Sequence, residues 1–134
     1  MKKHIVNQEV RFADIDSMGH VNNAVFLNYF EQARISFFND ALDIKWDWSH
    51  QGVILAKNEL EYHSPVMLED QIHTVIGCES LGTKSFTLVY EIYAKRNGKE
   101  ELCCRGKSVM VCFDYNQQKS IEIPELWRDK MQEN

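Results

Sequence analysis

The sequence predicts an α+β domain in which one long helix is wrapped by a curved antiparallel β-sheet. Three observations carry this. From Asn22 to Asp40, Val25, Tyr29, Ala33 and Phe37 recur every four residues, and Phe26, Phe30 and Phe38 widen the apolar stripe. Ser85 to Ala94 alternates, with Phe86, Leu88, Tyr90 and Ile92 on one face. Asn97-Gly98 is a strong hairpin signal between two long strand candidates.

The elements follow in order. His4 to Phe12 reads as a first strand and Ala13 to Val21 as a loop. Asn22 or Asn23 can cap the helix, because an Asn side chain accepts a hydrogen bond from the free amides of the first turn. Nineteen helical residues extend about 28 Å, and so broad an apolar face needs a broad partner. Val53 to Tyr62, Gln71 to Glu79, Ser85 to Ala94 and Leu102 to Phe113 supply it as strands. His63-Ser64-Pro65 and Leu81-Gly82-Thr83 are turns between them. Ile123 to Arg128 reads as a last helical turn with proline near its start. Cys103, Val109, Val111 and Phe113 are expected on the sheet's outer face, part of which a second subunit would cover.

Composition narrows the function. The 134 residues, 44% hydrophobic and 26% charged, suit one domain, 1–134, with its own core. A net charge of -5 works against a large nucleic-acid footprint but allows a local basic pocket. Cys78, Cys103, Cys104 and Cys112 form no disulfide framework and no C-x-x-C pair. No apolar run approaches a membrane span, and the amino terminus lacks the apolar stretch of a signal peptide. A reducing cytoplasmic location is therefore expected. His20, His50, His63 and His73 make no metal-ligand pattern.

The chemistry concentrates before the helix, in Asp14-Ile15-Asp16-Ser17-Met18-Gly19-His20-Val21-Asn22-Asn23. A calcium loop fails, because Met18 stands at position 5 and Val25 where a bidentate Glu belongs. A P-loop fails, because Gly19 stands alone. Two aspartates so close in a loop specify no glycosidase geometry. Two readings remain open on the residues alone. One is a capped loop, since Asp and Asn bind free helix amides. The other keeps one carboxylate available while the helix end polarises an acyl carbonyl.

This segment, continued through Asn28-Tyr29-Phe30-Glu31-Gln32-Ala33-Arg34, closely resembles the hotdog-fold acyl-CoA thioesterases of the 4-hydroxybenzoyl-CoA thioesterase type. Leu60 to Val66, Gly82 to Phe86, Ile92-Tyr93 and Arg105 to Val111 continue the resemblance in compatible order. It implies a hotdog fold and hydrolysis of an acyl-CoA thioester to a carboxylic acid and CoA. CoA is then part of the substrate, and no metal or redox cofactor is implied. Asp16 would be the catalytic carboxylate, as nucleophile or general base. Asn23 stands where a backbone amide of the family binds the thioester oxygen, Gly19 permits the close turn, and His20 and Asn22 line or brace the loop. Several relatives carry an aromatic residue and a His where Asn22-Asn23 stands, which puts a His-assisted mechanism in doubt. Asp14 reads as a structural cap.

His63 is expected to line the acyl or pantetheine channel, and Lys84, Ser85, Arg105 and Lys107 to meet the CoA phosphates. Glu31 reads as structural or pocket-lining, and able to pair with Arg34. Trp46-Asp47-Trp48 would select the acyl group. A homodimer or homotetramer is expected, with the pantetheine tunnel between subunits. The rival readings are an acyl-carrier-protein thioesterase and a noncatalytic acyl-thioester-binding protein.

Overall fold

A computed structural model describes residues 1–45 and 49–132. The strands are β1 (Lys3–Glu9), β2 (Gln51–Tyr62), β3 (Gln71–Leu81), β4 (Ser85–Arg96), β5 (Lys99–Asp114) and the short β6 (Lys119–Ser120). They pair antiparallel in the order β1-β3-β4-β5-β2, with β6 added to β5. The sheet curls around the helical segment in the manner of a hotdog domain. Trp46-Asp47-Trp48, the expected acyl-selecting element, lies outside the described residues.

The alternation in β4 decides which face meets the helix. Phe86, Leu88, Tyr90, Ile92 and Ala94 are buried, while the residues between them are half-buried. Phe30 lies on Tyr90 with ring centroids 4.1 Å apart and planes 9° from parallel. Gly106 stands opposite Tyr90 on β5. A Cβ there would come within 2.4 Å of the Phe30 ring, so the missing side chain is what admits the phenyl group. At the β4–β5 hairpin, Asn97 and Gly98 have φ of 52° and 76°. Two positive φ values in a two-residue turn match the twist of the flanking strands.

The helical segment departs from the expected single helix over 22–40. It opens with a 3-10 turn at Asn23–Val25, continues as α1 (Phe26–Ser36) and ends in a π-helical turn at Phe37–Ala41. The wider last turn puts the adjacent rings of Phe37 and Phe38 both inside. Phe38 meets Phe86 and Trp127, and Phe37 meets His4. Helix α2 (Glu125–Gln132) outlasts the predicted turn because Trp127 and Met131, one turn apart, are both buried.

Two strand expectations are corrected. β1 stops at Glu9, and Phe12, in a 3-10 turn, is 83% exposed. Cys103 is buried rather than on the outer face, together with Cys104. Ile92 pairs with Cys104 and Tyr93 with Leu102, so Cys103 is the extra residue of a β-bulge. Val109, Val111 and Phe113 keep the half-exposed positions expected of them. Burial pushes the Cys104 and Cys112 thiols up to about 12, which keeps them protonated and unsuited to nucleophilic work. No helix among the described residues is long and apolar enough to cross a membrane.

Candidate active site

The two aspartates of the loop have separate surroundings. Asp14 is buried. Its Oδ2 accepts the Arg11 N–H at 2.9 Å and the Tyr29 hydroxyl at 2.8 Å, while Oδ1 accepts the Arg11 guanidinium at 3.3 and 3.1 Å. Burial alone would raise this carboxyl. The donors from Arg11 and Tyr29 outweigh that effect and hold it below the usual carboxylate range. The Tyr29 carbonyl accepts the Gln8 amide at 2.7 Å, and the Gln8 Oε1 accepts the Thr74 hydroxyl at 2.5 Å. Asp14 therefore bolts the loop to α1 through Tyr29, whose backbone is tied in turn to β1 and β3.

A pH dependence follows. Because folding lowers the Asp14 pKa, its contribution is full above the unfolded value of about 4 and is lost as pH falls through the folded one. Urea unfolding of the native protein and Asp14→Asn should differ by about 1–3 kcal/mol near pH 7. The gap should close as pH falls below about 4. A gap independent of pH would show that the carboxylate charge plays no part.

Asp16 sits in a closed loop. Ile15 bridges Val21, the Asp16 N–H donates to the His20 carbonyl at 2.9 Å, and the Gly19 N–H donates to the Asp16 carbonyl at 3.0 Å. Gly19 has a φ of +87°, a conformation that L side chains adopt rarely. Asp16 is half-buried, and its Oδ1 accepts the Met18 N–H at 2.9 Å. Its Oδ2 has no hydrogen-bond partner among the described residues.

The helix start faces the same region. Asn22 is the N-cap, its Oδ1 accepting the Ala24 N–H at 2.9 Å and its carbonyl accepting the Val25 N–H at 2.9 Å. Among the described residues the Asn23 N–H has no acceptor. Asn23, His20 and Phe26 line one side of a cleft of about 300 Å³, and Tyr62, His63, Ser64 and Pro65 line the other. Asp16 does not line this cleft itself; it is one backbone hydrogen bond from His20, which does.

Tyr62 was not legible as a site residue. Its hydroxyl donates to the Asn23 carbonyl at 2.8 Å, and its ring meets Phe26 edge-on at 5.4 Å. The signal was its place beside His63 in the strand ending. His63 stands 3.5 Å from the Glu61 carboxylate and is held by its N–H to the Cys103 carbonyl at 2.8 Å.

The four residues expected at the CoA phosphates are not brought together. Lys84 and Ser85 lie at one end of β4, whose other end, Arg96, contacts Pro65 at the cleft. That strand spans about 35 Å. Arg105 and Lys107 share the outer face of β5, where they pair with Glu91 at 3.0 Å and Glu79 at 3.1 Å. They border a separate hollow of about 200 Å³ with Lys3 and Met1. Glu31 lies 3.9 Å from Arg34, which is buried and donates to the Tyr90 hydroxyl at 3.2 Å. No cluster of three His, Cys, Asp or Glu able to hold a metal occurs among the described residues.

A helix cupped by an antiparallel sheet, its capped end opening on a cleft, is the arrangement of the hotdog thioesterases. Residues 10–133 match the model of the thioesterase-like superfamily, and the chain belongs to that family. It is a thioester hydrolase. The sequence is 25% identical over 126 residues to the long-chain acyl-CoA thioesterase FadM of Escherichia coli, covering 93% of this chain and 94% of FadM. It is 32% identical to a thioesterase of Thermus thermophilus solved in complex with coenzyme A and Zn, with a TM-score of 0.81 over 96% of this chain and 97% of that one. A 4-hydroxybenzoyl-CoA thioesterase variant, solved with 4-hydroxybenzoyl-CoA, superimposes with a TM-score of 0.89 over 98% and 99% of the two chains at 14% identity, a likeness of fold.

Proposed function

We propose that this thioesterase hydrolyses acyl-CoA, with the thioester carbonyl at the start of the helical segment and Asp16 promoting attack. The observation that carries the reading is the unpartnered Asn23 N–H on a residue that lines the cleft. A donor fixed there, at the positive end of the helical segment, strengthens its bond as the carbonyl oxygen gains charge. Asp16 either attacks the carbonyl carbon, giving a mixed anhydride that water cleaves, or takes a proton from the attacking water. In both routes the C–S bond breaks, CoA leaves as its thiolate and the carboxylic acid remains. Gly19 allows the turn that holds Asp16, Asn22 caps the helical segment, and His20 and His63 border the acyl path.

CoA is the expected carrier because the similar Thermus protein was solved with it and FadM is an acyl-CoA thioesterase. The enzyme works as a homodimer or homotetramer whose subunit boundary closes the pantetheine tunnel. The edge position of β2 and its exposed Ile54 and Leu55 support this. Its four free cysteines suit a reducing cytoplasm. An acyl-carrier-protein substrate is favoured by one observation, since Arg105 and Lys107 are already paired with carboxylates.

Free-thiol release from matched acyl-CoA and acyl-carrier-protein panels tests the reading. Faster turnover of acyl-CoA, weakened when Arg105 or Lys107, which share one face of β5, is replaced by alanine, supports it. A preference for the carrier protein that is blind to these substitutions supports the second reading. Binding of acyl-CoA with no turnover on either panel overturns both. A single turnover in ¹⁸O-water identifies direct attack when solvent oxygen enters the Asp16 carboxylate, as it does when water opens the anhydride at the Asp16 carbon.

A further inference from the structure

Arg96 ends β4 beside the cleft and gathers partners from two other segments. Its Nε and Nη2 hold the Asp70 carboxylate at 3.2 and 2.7 Å. Its Nη1 donates to the Ser64 hydroxyl at 3.0 Å and to Glu101 at 2.8 Å, and Nη2 also donates to the Pro65 carbonyl. Ser64 and Pro65 form part of the cleft wall. The next residue, Val66, is fully buried and accepts the Val21 N–H at 2.8 Å. Val21 in turn bridges Ile15 across the Asp16 loop. The contacts therefore run without a gap from one guanidinium, through the Ser64–Val66 strap, to the loop that carries Asp16.

Closing the neighbouring turn does not require Arg96. Asp70 does this itself, accepting the Met67 N–H on its carboxylate at 2.7 Å and donating its own N–H to the Met67 carbonyl at 3.1 Å. What Arg96 adds is the link to Ser64 and Pro65. A planar donor fork can serve a carboxylate, a hydroxyl and a carbonyl in one fixed geometry, whereas an ammonium acts as a point charge.

We propose that Arg96 is a positioning residue of the thioester site, setting through the Ser64–Val66 strap the spacing between the His63–Pro65 wall and the Asp16–Asn23 side of the cleft. This rests on the acyl-CoA reading above. Arg96 touches no reacting atom in it and acts by holding the wall. A lysine at this position keeps a charge for Asp70 and loses the fork, so the strap loosens while the turn stays closed. Displacement of a site wall by an ångström costs up to about 100-fold in rate.

The test compares Arg96→Lys and Arg96→Ala with the native enzyme, using Glu125→Gln, an exposed carboxylate on α2, as a control. With values normalised to folded protein, Arg96→Lys should lower kcat about 10- to 100-fold and change KM little. Millimolar guanidinium should partly restore Arg96→Ala, and Glu125→Gln should stay near native. Hydrogen exchange gives a readout independent of turnover. Peptides covering 15–23 and 61–68 should exchange faster in Arg96→Lys, with α1 and β4 unchanged. Native kcat and KM per folded molecule, or unaltered exchange at 15–23, would overturn the proposal. Faster exchange there in Arg96→Lys, together with a native protein that hydrolyses no acyl-CoA, would sustain the strap and reject the substrate reading.

Discussion

Asp16→Asn should abolish most turnover and leave the fold intact. The expected loss in kcat is about 100- to 10,000-fold, the range for removing a group that moves a proton or attacks in the rate-limiting step. The amide keeps an oxygen where Oδ1 accepts the Met18 N–H, so the loop retains its closing bonds. The thermal midpoint should therefore move little. Asp14→Asn makes the contrast. It disturbs a buried acceptor of the Arg11 and Tyr29 donors, so it should lower stability while kcat of the folded fraction stays within a few-fold of native. Thiol release and thermal unfolding on both variants decide the matter. Equal losses of turnover in the two would mean that the loop collapses as a unit, and the catalytic assignment of Asp16 would be withdrawn.

Gly106→Ala should be the most crowded of the glycine-to-alanine changes and strongly destabilising. The new Cβ would meet the Phe30 ring at 2.4 and 2.6 Å and the Glu59 carbonyl oxygen at 2.9 Å. Phe30 is stacked on the Tyr90 ring at 4.1 Å, so relieving the clash requires that packed pair to shift. The Glu59 oxygen belongs to the backbone of β2, which is paired with β5 along this stretch. Overpacking of this kind costs about 1–3 kcal/mol, and a clash that includes a backbone oxygen belongs at the upper end. Urea unfolding measures it directly. Trimming the ring in Gly106→Ala/Phe30→Leu should recover part of the loss, so the two changes should be strongly non-additive. A native midpoint for Gly106→Ala would show that the sheet yields where the packing says it does not.

Much of the architecture was readable from periodicity. The four-residue stripe of Val25, Tyr29, Ala33 and Phe37 located the helical segment, and the alternation of Phe86 to Ile92 gave the covered face of β4. Asn97-Gly98 marked its hairpin. The bulge at Cys103 left no local mark, because it is a mismatch of one strand against another and exists only once β4 and β5 are in register. The π-helical turn was hidden for a related reason, being selected by the pocket that takes both Phe37 and Phe38.

At the candidate site, the choice of Asp16 over Asp14 came from family resemblance, since spacing treats the two alike. The structure supplies a physical difference. Asp14 is enclosed by its donors, whereas Asp16 keeps one oxygen without a described partner. Tyr62 and Arg96 went unread because their partners, Asn23 and the Ser64–Asp70 segment, lie 26 to 39 residues away in the chain.

The strand order has a consequence for how the cleft comes into being. β2 neighbours β5, so residues near 60 must await partners near 105 before they acquire a place. Closing such distant pairings is slow, and their share of the contacts sets the pace of assembly. The wall at His63 and Ser64 hangs on the Cys103 carbonyl, which enters the sheet only when that last long strand docks. Competence for chemistry thus arrives late in folding, and a refolding population should regain helical signal well before it regains turnover.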